Sequence, residues 1–459
     1  MNRARLPTFA LLAVFTILFG APLPKQELAR AISSRRLAPG VIHTVIRDPT
    51  GPWRIHVVSV EPGQASSVDV ALANDVLPGW EKVSSMAKRH GAVAAINADF
   101  ATESGRPVHT FAEDGRLMQT PLAPGLNFSV NAQKTQTRLD RATERVRLVL
   151  PDGTEARIGR VNAGLPGPRR LGLYTRAGAW LEQPPPKACS ARLFRFKRFG
   201  FPFIRVYTRA RFRVGKVVCR RKALSRKGGA VVSARLDGSK TDLVRSLRKG
   251  DSVFVDWTLG RKGVLDTLGG NTRLVKKGKN VAPEGSGYPY TRNPRTGVGR
   301  TTTGKVLLVT VDGRQPGYSV GMSFVEFGRL FMRLGASSAM NLDGGGSTEM
   351  IVKGKVVNRP SGGRERPQPN ALLVLPGPDP GEAGAAQGQT ASAATPIKSP
   401  TRPSESLLRE IAHDPASTGG LVAMLQAQGA ALPPELRRIG EEFLRFQRLR
   451  DQKSRRRPG

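Results

Sequence analysis

Two stretches of the chain, 244 residues apart, deliver the same polar pair from the same local pattern: Arg89-His-Gly91-Ala92-Val-Ala-Ala95-Ile-Asn97-Ala-Asp99 and Arg333-Leu-Gly335-Ala336-Ser-Ser-Ala339-Met-Asn341-Leu-Asp343. Six of the eleven positions agree. In each, Asn and Asp stand two residues apart at the exit of a short apolar run, so they share one face of a strand. Asn and Asp also cap turns, which alone would account for either pair. Their repetition at matched spacing instead points to one polar site fed by two related halves, with amides to orient and carboxylates to do acid–base work. The second copy continues Asp343-Gly344-Gly345-Gly346-Ser347-Thr348. Three consecutive glycines allow positive φ and keep side chains away from backbone N–H groups, so this turn can cradle an anion beside a carboxylate.

Each exit must be positioned by the elements before it. Helical spacing covers Trp80 to His90, and a second helix opens with the capping box Ser323/Glu326 and runs through Phe327, Leu330, Phe331 and Leu334 to Gly335. A β-rich run spans Lys305 to Val311, and Lys353-Gly354-Lys355 marks a hairpin. The expected fold class is therefore α+β: a mixed β-sheet core with packed helices, built from two related helix-strand units. Residues 130–265 read as a strand-rich basic insertion. Between Glu182 and Asp237 it holds no acid and sixteen Lys and Arg; Arg209, Arg211 and Arg213 alternate there with Ala210, Phe212 and Val214, giving one cationic and one buried strand face. That face reads either as an anion-contacting surface or as the solvated side of a basic protein. The core domain spans 40–375. Residues 376–404 are a Pro/Gly/Ala/Ser/Thr linker, and 405–459 form a basic helical tail in which Leu436, Ile439, Phe443 and Phe446 share a face.

The chain has 459 residues and a formal net charge of +38, so its surroundings or partner are polyanionic. Zinc-finger spacing, RNP aromatics and a basic region leading into heptads are all missing from the sequence, which argues against nucleic acid. Residues 1–31 read as a signal peptide: Arg3 and Arg5 precede an apolar run from Phe9 to Phe19, of h-region length and short for a membrane span, with an uncleaved N-terminal anchor as the alternative. The expected location is secreted, periplasmic or attached to the cell envelope. Cys189 and Cys219 are the two cysteines, a disulfide candidate in an oxidising compartment or two free buried thiols. No cofactor is assigned. The Asp and Asn oxygens suit Ca²⁺ or Mg²⁺, although no EF-hand loop or paired histidine spacing is present.

At Asn341-Leu-Asp343-Gly-Gly-Gly-Ser347-Thr348 the sequence resembles the phosphodiester glycosidases. Further matches follow in order at Asn97-Ala-Asp99-Phe100, Pro294-Arg295-Thr296-Gly-Val-Gly299, Asp312-Gly-Arg314 and Glu365-Arg366 before Asn370. The resemblance covers about residues 40–375 and is densest from Leu268 onward. Ala101 stands where the family pattern has a second aromatic, and neither the stretch from 182 to 237 nor the tail belongs to the shared pattern. The resemblance implies an exported glycosidase that hydrolyses a sugar-1-phosphodiester, α-N-acetylglucosaminyl-like, in envelope or extracellular polysaccharide.

Expelling a phosphate monoester from the anomeric carbon relaxes the need for a strong general acid and leaves charge stabilisation as the main demand. Arg295, Arg314 and Arg366 are the candidates for the phosphoryl oxygens, since guanidinium binds them bidentately; the alternative for each is a structural salt bridge. Asp343 and Asp312 are the first-choice carboxylates, with Glu365 and Asp99 behind them. Asn97, Asn341, Thr296, Gly344, Gly345, Gly346 and Ser347, with Asp99, are expected to bind substrate. The expected partner is a sugar phosphodiester or an anionic polysaccharide, with an anionic membrane or wall surface as a further expected contact of the basic insertion and tail. Two other functions fit the same residues: a noncatalytic binder of anionic glycan or cell wall, and a phosphodiesterase that breaks P–O.

Overall fold

The computed structural model describes residues 30–49, 51–63, 66–141, 144–175, 187–195, 209–220, 229–259 and 263–377. The expected export segment to residue 29, the linker from 378 and the tail 405–459 lie outside the described residues.

The fold is mostly β, which corrects the α+β expectation. The described residues form 25 strands and three α-helices: α1 Val83–Arg89, α2 Thr241–Ser246 and α3 Phe324–Arg333. Only α3 carries a side-chain cap, with Ser323 Oγ accepting from Glu326 N and Glu326 Oε2 accepting from Ser323 N. The helical pattern from Trp80 onward yields just seven residues, and its N-cap, Lys82, offers no side-chain oxygen to the first turn. Valine-rich runs bounded by glycine build the rest. The sheets are also antiparallel rather than mixed, apart from one parallel pair, Glu155–Val161 with Leu171–Tyr174.

Four sheets result. An eight-stranded sheet includes β2 (Arg295–Thr301) and, beside it, β3 (Ala336–Asn341). A five-stranded sheet includes β1 (Ala94–Asn97) paired with β4 (Asn370–Pro376). A second five-stranded sheet and a closed seven-stranded barrel complete the set. The barrel runs from Arg145 to Thr258 and occupies the segment read as a basic insertion.

Both faces of the eight-stranded sheet are covered. One packs on α3 through Ile55, Val309, Phe327 and Phe331; the other packs on the five-stranded sheets through Val58, Val298, Leu308 and Met340 against Ile96, Phe128 and Leu372. This is why Val306–Val311 is buried at all positions rather than alternating. Helix α1 covers the far side of β1 through Val83, Met86 and Ala87. The two helix-strand units therefore lie in different sheets stacked face to face. Each helix stops at a glycine in the left-handed region, Gly91 at φ 65° and Gly335 at φ 83°.

In the barrel, Cys189 and Cys219 sit opposite each other on antiparallel strands and are joined by a disulfide. Closing a loop of 30 residues contributes ~3–4 kcal/mol through the unfolded chain.

Candidate active site

The two Asn/Asp exits meet. Asp343 N donates to the Ala98 carbonyl at 2.8 Å, stitching the end of β3 to the end of β1 across two sheets. Asn97 makes the junction rigid. Its Nδ2 donates to the Asp343 carbonyl at 2.7 Å, while its Oδ1 accepts from Thr296 Oγ1 at 2.9 Å and Glu349 N at 3.0 Å. All of these groups are buried except at Asp343, which is half-buried. Asn97 thus spends its amide on the backbone of Asp343 and Glu349, and Thr296 spends its hydroxyl on Asn97.

Asp99 is spent in a similar way. Its Oδ1 accepts from Phe100 N at 2.8 Å and pairs with His109 Nδ1 at 2.6 Å; its Oδ2 accepts from His109 N at 2.8 Å. Burial presses the His109 pKa downward, but the hydrogen bond and charge of Asp99 outweigh it and leave His109 raised. Asn341 donates through Nδ2 to Asn271 Oδ1 at 3.1 Å and to the Leu342 carbonyl at 2.6 Å. Its buried Oδ1 has no partner among the described residues.

Beyond Asp343, a 3₁₀ turn over Gly345–Ser347 forms the glycine loop. Gly345 N donates to the Pro294 carbonyl at 2.9 Å, and a Cβ added at Gly344 would lie 2.7 Å from that same oxygen. Gly345 has φ +61°, and a Cβ there would come within 3.2 Å of Arg314 Nη2; one at Gly346 would come within 2.9 Å of Arg366 Nη2. The missing side chains therefore let two guanidinium groups rest against the loop. Arg314, itself at φ 59°, is held by Nε and Nη2 on Asn293 Oδ1 at 3.1 and 2.9 Å. Arg366 is exposed, and its backbone N donates to Glu349 Oε1. The Asp343 pKa is pushed up to about 6, chiefly by burial; the Ser347 hydroxyl, the Arg366 charge and Gly344 N–H oppose this, while the Asp99 charge adds to it.

The other expected site residues go elsewhere. Arg295 is buried, donates from Nε to the Met322 carbonyl at 2.7 Å and from Nη2 to the Pro289 and Thr291 carbonyls at 2.6 and 2.9 Å, and lies 4.1 Å over the Phe324 ring. Burial lowers its pKa to about 10. It pins two loops, one at Pro289 and Thr291 and one at Met322, and α3. Asp312 accepts from Asn358 Nδ2 and Arg359 N, each at 3.0 Å, and from Tyr318 Oη at 3.3 Å, so it anchors the 358–359 turn. Burial raises its pKa to about 6. Glu365 accepts from Ser84 N and Ser84 Oγ, both at 2.7 Å, supplying from a distance the cap that α1 lacks.

One carboxyl group at the loop has no motif to announce it. Glu349 is fully buried, and its Oε2 has no partner among the described residues. Burial pushes its pKa up to about 8, and the Glu365 charge adds to that against the opposing Arg366 N–H and charge. A glutamate two residues past Ser347, at the entry to strand Met350–Val352, gives no periodic signal in the sequence.

A grouping suited to a cation, Asp75, His90 and Glu113, has its ligand atoms within 4.8 Å of one another. Arg89 Nη1 already contacts Asp75 Oδ1 and His90 Nε2 at 2.7 Å each, so a guanidinium fills it.

Comparison with known proteins places this geometry in context. The uncharacterized protein YomE from the SPβ prophage of Bacillus subtilis strain 168 is 36% identical over 83 residues, which are 18% of this chain and 13% of that protein. A hypothetical protein from Synechocystis superposes with TM-score 0.58 at 20% identity, covering 73% of this chain and 62% of its own. A candidate exported protein from Burkholderia pseudomallei K96243 superposes with TM-score 0.54 at 23% identity, covering 71% of this chain and 75% of its own. At these identities the two structures share the fold. The chain thus spans about an eighth of the curated relative and under two thirds of the Synechocystis protein. The matched family segment begins at Arg209, inside the stretch expected to lie outside the shared pattern, and is shorter than the expected 40–375. Residues 209–375, which carry Arg314, Asp343, the three glycines and Arg366, match the family model of the phosphodiester glycosidases.

Proposed function

We propose that the protein is an exported glycosidase that cleaves an α-linked sugar-1-phosphodiester at the anomeric C–O bond. The observation that carries this reading is the placement of Asp343 on a side-chain-free turn against which Arg314 and Arg366 rest. The guanidinium groups would neutralise the phosphoryl oxygens and stabilise the departing phosphate monoester. Asp343, ionised above about pH 6, would take a proton from water or face the oxocarbenium-like carbon. In the overall reaction the anomeric C–O bond breaks and its electron pair leaves on the phosphate oxygen. Water supplies the new C–O bond, and its proton passes through Asp343 to solvent.

Two further observations support export. The chain starts with Arg3 and Arg5 ahead of an apolar run, and one structural neighbour is a candidate exported protein. No helix among the described residues is long and apolar enough to cross a membrane. The polymer would be an envelope or extracellular polysaccharide with sugar-phosphate linkages. Incubation with a p-nitrophenyl sugar phosphodiester should release reducing sugar, and Asp343→Ala should abolish release while the circular dichroism spectrum stays unchanged. Tight binding of the same compound without turnover would instead indicate a glycan-binding protein.

A further inference from the structure

The closed barrel has a charged outer wall that the candidate active site does not use. Strand register lines up Arg157 opposite Arg147, Arg147 opposite Asp256, and Asp256 opposite Arg209, so one row crosses four strands. Arg211 and Arg213 follow along the same strand as Arg209, opposite Phe254 and Ser252; Arg145 lies beside Arg147, opposite Thr258. These six arginines are exposed, while Val146, Leu148, Ala156, Ala210, Phe212 and Val214 between them point into the barrel core. The alternation makes one continuous wall out of strands that are distant in the chain.

Two carboxylates interrupt it. Arg147 pairs with Glu155 at 2.8 Å and Asp256 at 3.2 Å, and Arg209 pairs with Asp256 at 3.3 Å. Arg211 Nε donates to Ser252 Oγ at 2.6 Å, so its guanidinium is held on the same face as the paired Arg147 and Arg209. Arg209 and Arg211 also lie over the Phe254 ring, 5.5 and 5.9 Å from its centroid.

We infer that this wall binds a strand of anionic polysaccharide, one carrying phosphate or uronate groups, as a docking surface separate from the candidate active site. The choice of glycan rests on the function proposed above. Phe254 is overlaid by the two arginines, so it offers no open ring for base stacking, which single-stranded nucleic acid would use. Phe194, opposite Arg213, is an exposed large apolar side chain beside this wall. Adjacent strands are ~4.8 Å apart, so guanidinium groups recur at short intervals along a chain laid across them.

The test uses the full chain and two probes, alginate oligomers and a sugar-1-phosphate polymer, with binding measured by interferometry from 50 to 300 mM NaCl. The triple variant Arg209→Gln/Arg211→Gln/Arg213→Gln should weaken binding at least tenfold and flatten the salt dependence, with turnover of the small p-nitrophenyl substrate unchanged. Arg145→Gln/Arg157→Gln, on other strands, should weaken binding in the same direction and guards against a folding defect in the first variant. Unchanged affinity and salt slope in both variants would overturn the inference, as would equal or tighter binding of single-stranded DNA at the same salt. If both variants lose polymer binding while the wild type never hydrolyses the small substrate, the docking wall stands and the proposed enzymatic function fails.

Discussion

The side-chain amide of Asn97 holds the backbone carbonyl of Asp343 at 2.7 Å, joining residues 246 positions apart. The same amide oxygen holds Thr296 and the backbone of Glu349. Asn97 is therefore a positioning residue for the glycine loop. Asn97→Ala removes one donor and one doubly used acceptor from a buried junction, and should cost ~2–4 kcal/mol in urea unfolding. It should also lower kcat/KM by more than the stability loss explains at temperatures where the variant is fully folded. Full activity in a folded Asn97→Ala protein would show that the tie does not position the loop.

Asp343 has its pKa raised to about 6, and the proposed chemistry requires its ionised form. The expected kcat/KM is low below pH 5, rises through about pH 6 and reaches a plateau. Asp343→Asn should remove this acid limb along with at least ~10³-fold of activity. A pH–rate profile recorded on both proteins checks the assignment, and an acid limb that persists in the residual activity of Asp343→Asn would assign it to another group.

Glu349 should act on stability in the opposite pH direction to an ordinary paired carboxylate. Its native pKa of about 8 lies above its usual 4.5, so the native state keeps a proton that the unfolded chain has released. The contribution is complete below about pH 4.5 and is lost as pH rises through about 8. Glu349→Gln keeps the neutral shape and an acceptor for Arg366 N. Relative to this variant, the wild type should lose ~2–4 kcal/mol between pH 5 and 9. Parallel denaturation curves for the two proteins across that range would show that Glu349 does not titrate in this way.

The glycines should separate into two kinds. A Cβ at Gly344 meets the Pro294 carbonyl, which is fixed backbone, so Gly344→Ala should destabilise the fold by ~1–3 kcal/mol. A Cβ at Gly346 meets the far end of Arg366, an exposed side chain that can swing away. Gly346→Ala should leave the melting temperature nearly unchanged and reduce kcat/KM at least tenfold, because it displaces the guanidinium proposed to face the phosphate. Thermal melts and steady-state kinetics on the pair check this, and equal melting losses would remove the distinction.

Much of the local structure could be read from the chain. The matched exits at Asn97 and Asn341 adjoin, because each is a strand end released by a short helix that stops at a glycine. The Ser323/Glu326 capping box is visible for the same reason, since all its partners lie within four residues. What escaped the sequence depends on distant pairing. The barrel closes when Arg145–Val149 pairs with Ser252–Thr258, more than a hundred residues later, and no local periodicity encodes that register. The arginines show the same limit at the site. Arg295 and Arg366 look alike in sequence, yet one is spent on the Pro289, Thr291 and Met322 carbonyls while the other rests exposed on Gly346. Glu349 went unread because burial, rather than spacing, gives it its chemistry.

The proposed reaction breaks the anomeric C–O bond. Hydrolysis of a p-nitrophenyl sugar phosphodiester in ¹⁸O-labelled water, with products resolved by mass spectrometry, tests it most directly. Anomeric cleavage should give free sugar and unlabelled p-nitrophenyl phosphate, with neither product formed by Asp343→Asn. Label in the phosphate, accompanied by sugar-1-phosphate and p-nitrophenolate, would contradict it and make the protein a phosphodiesterase.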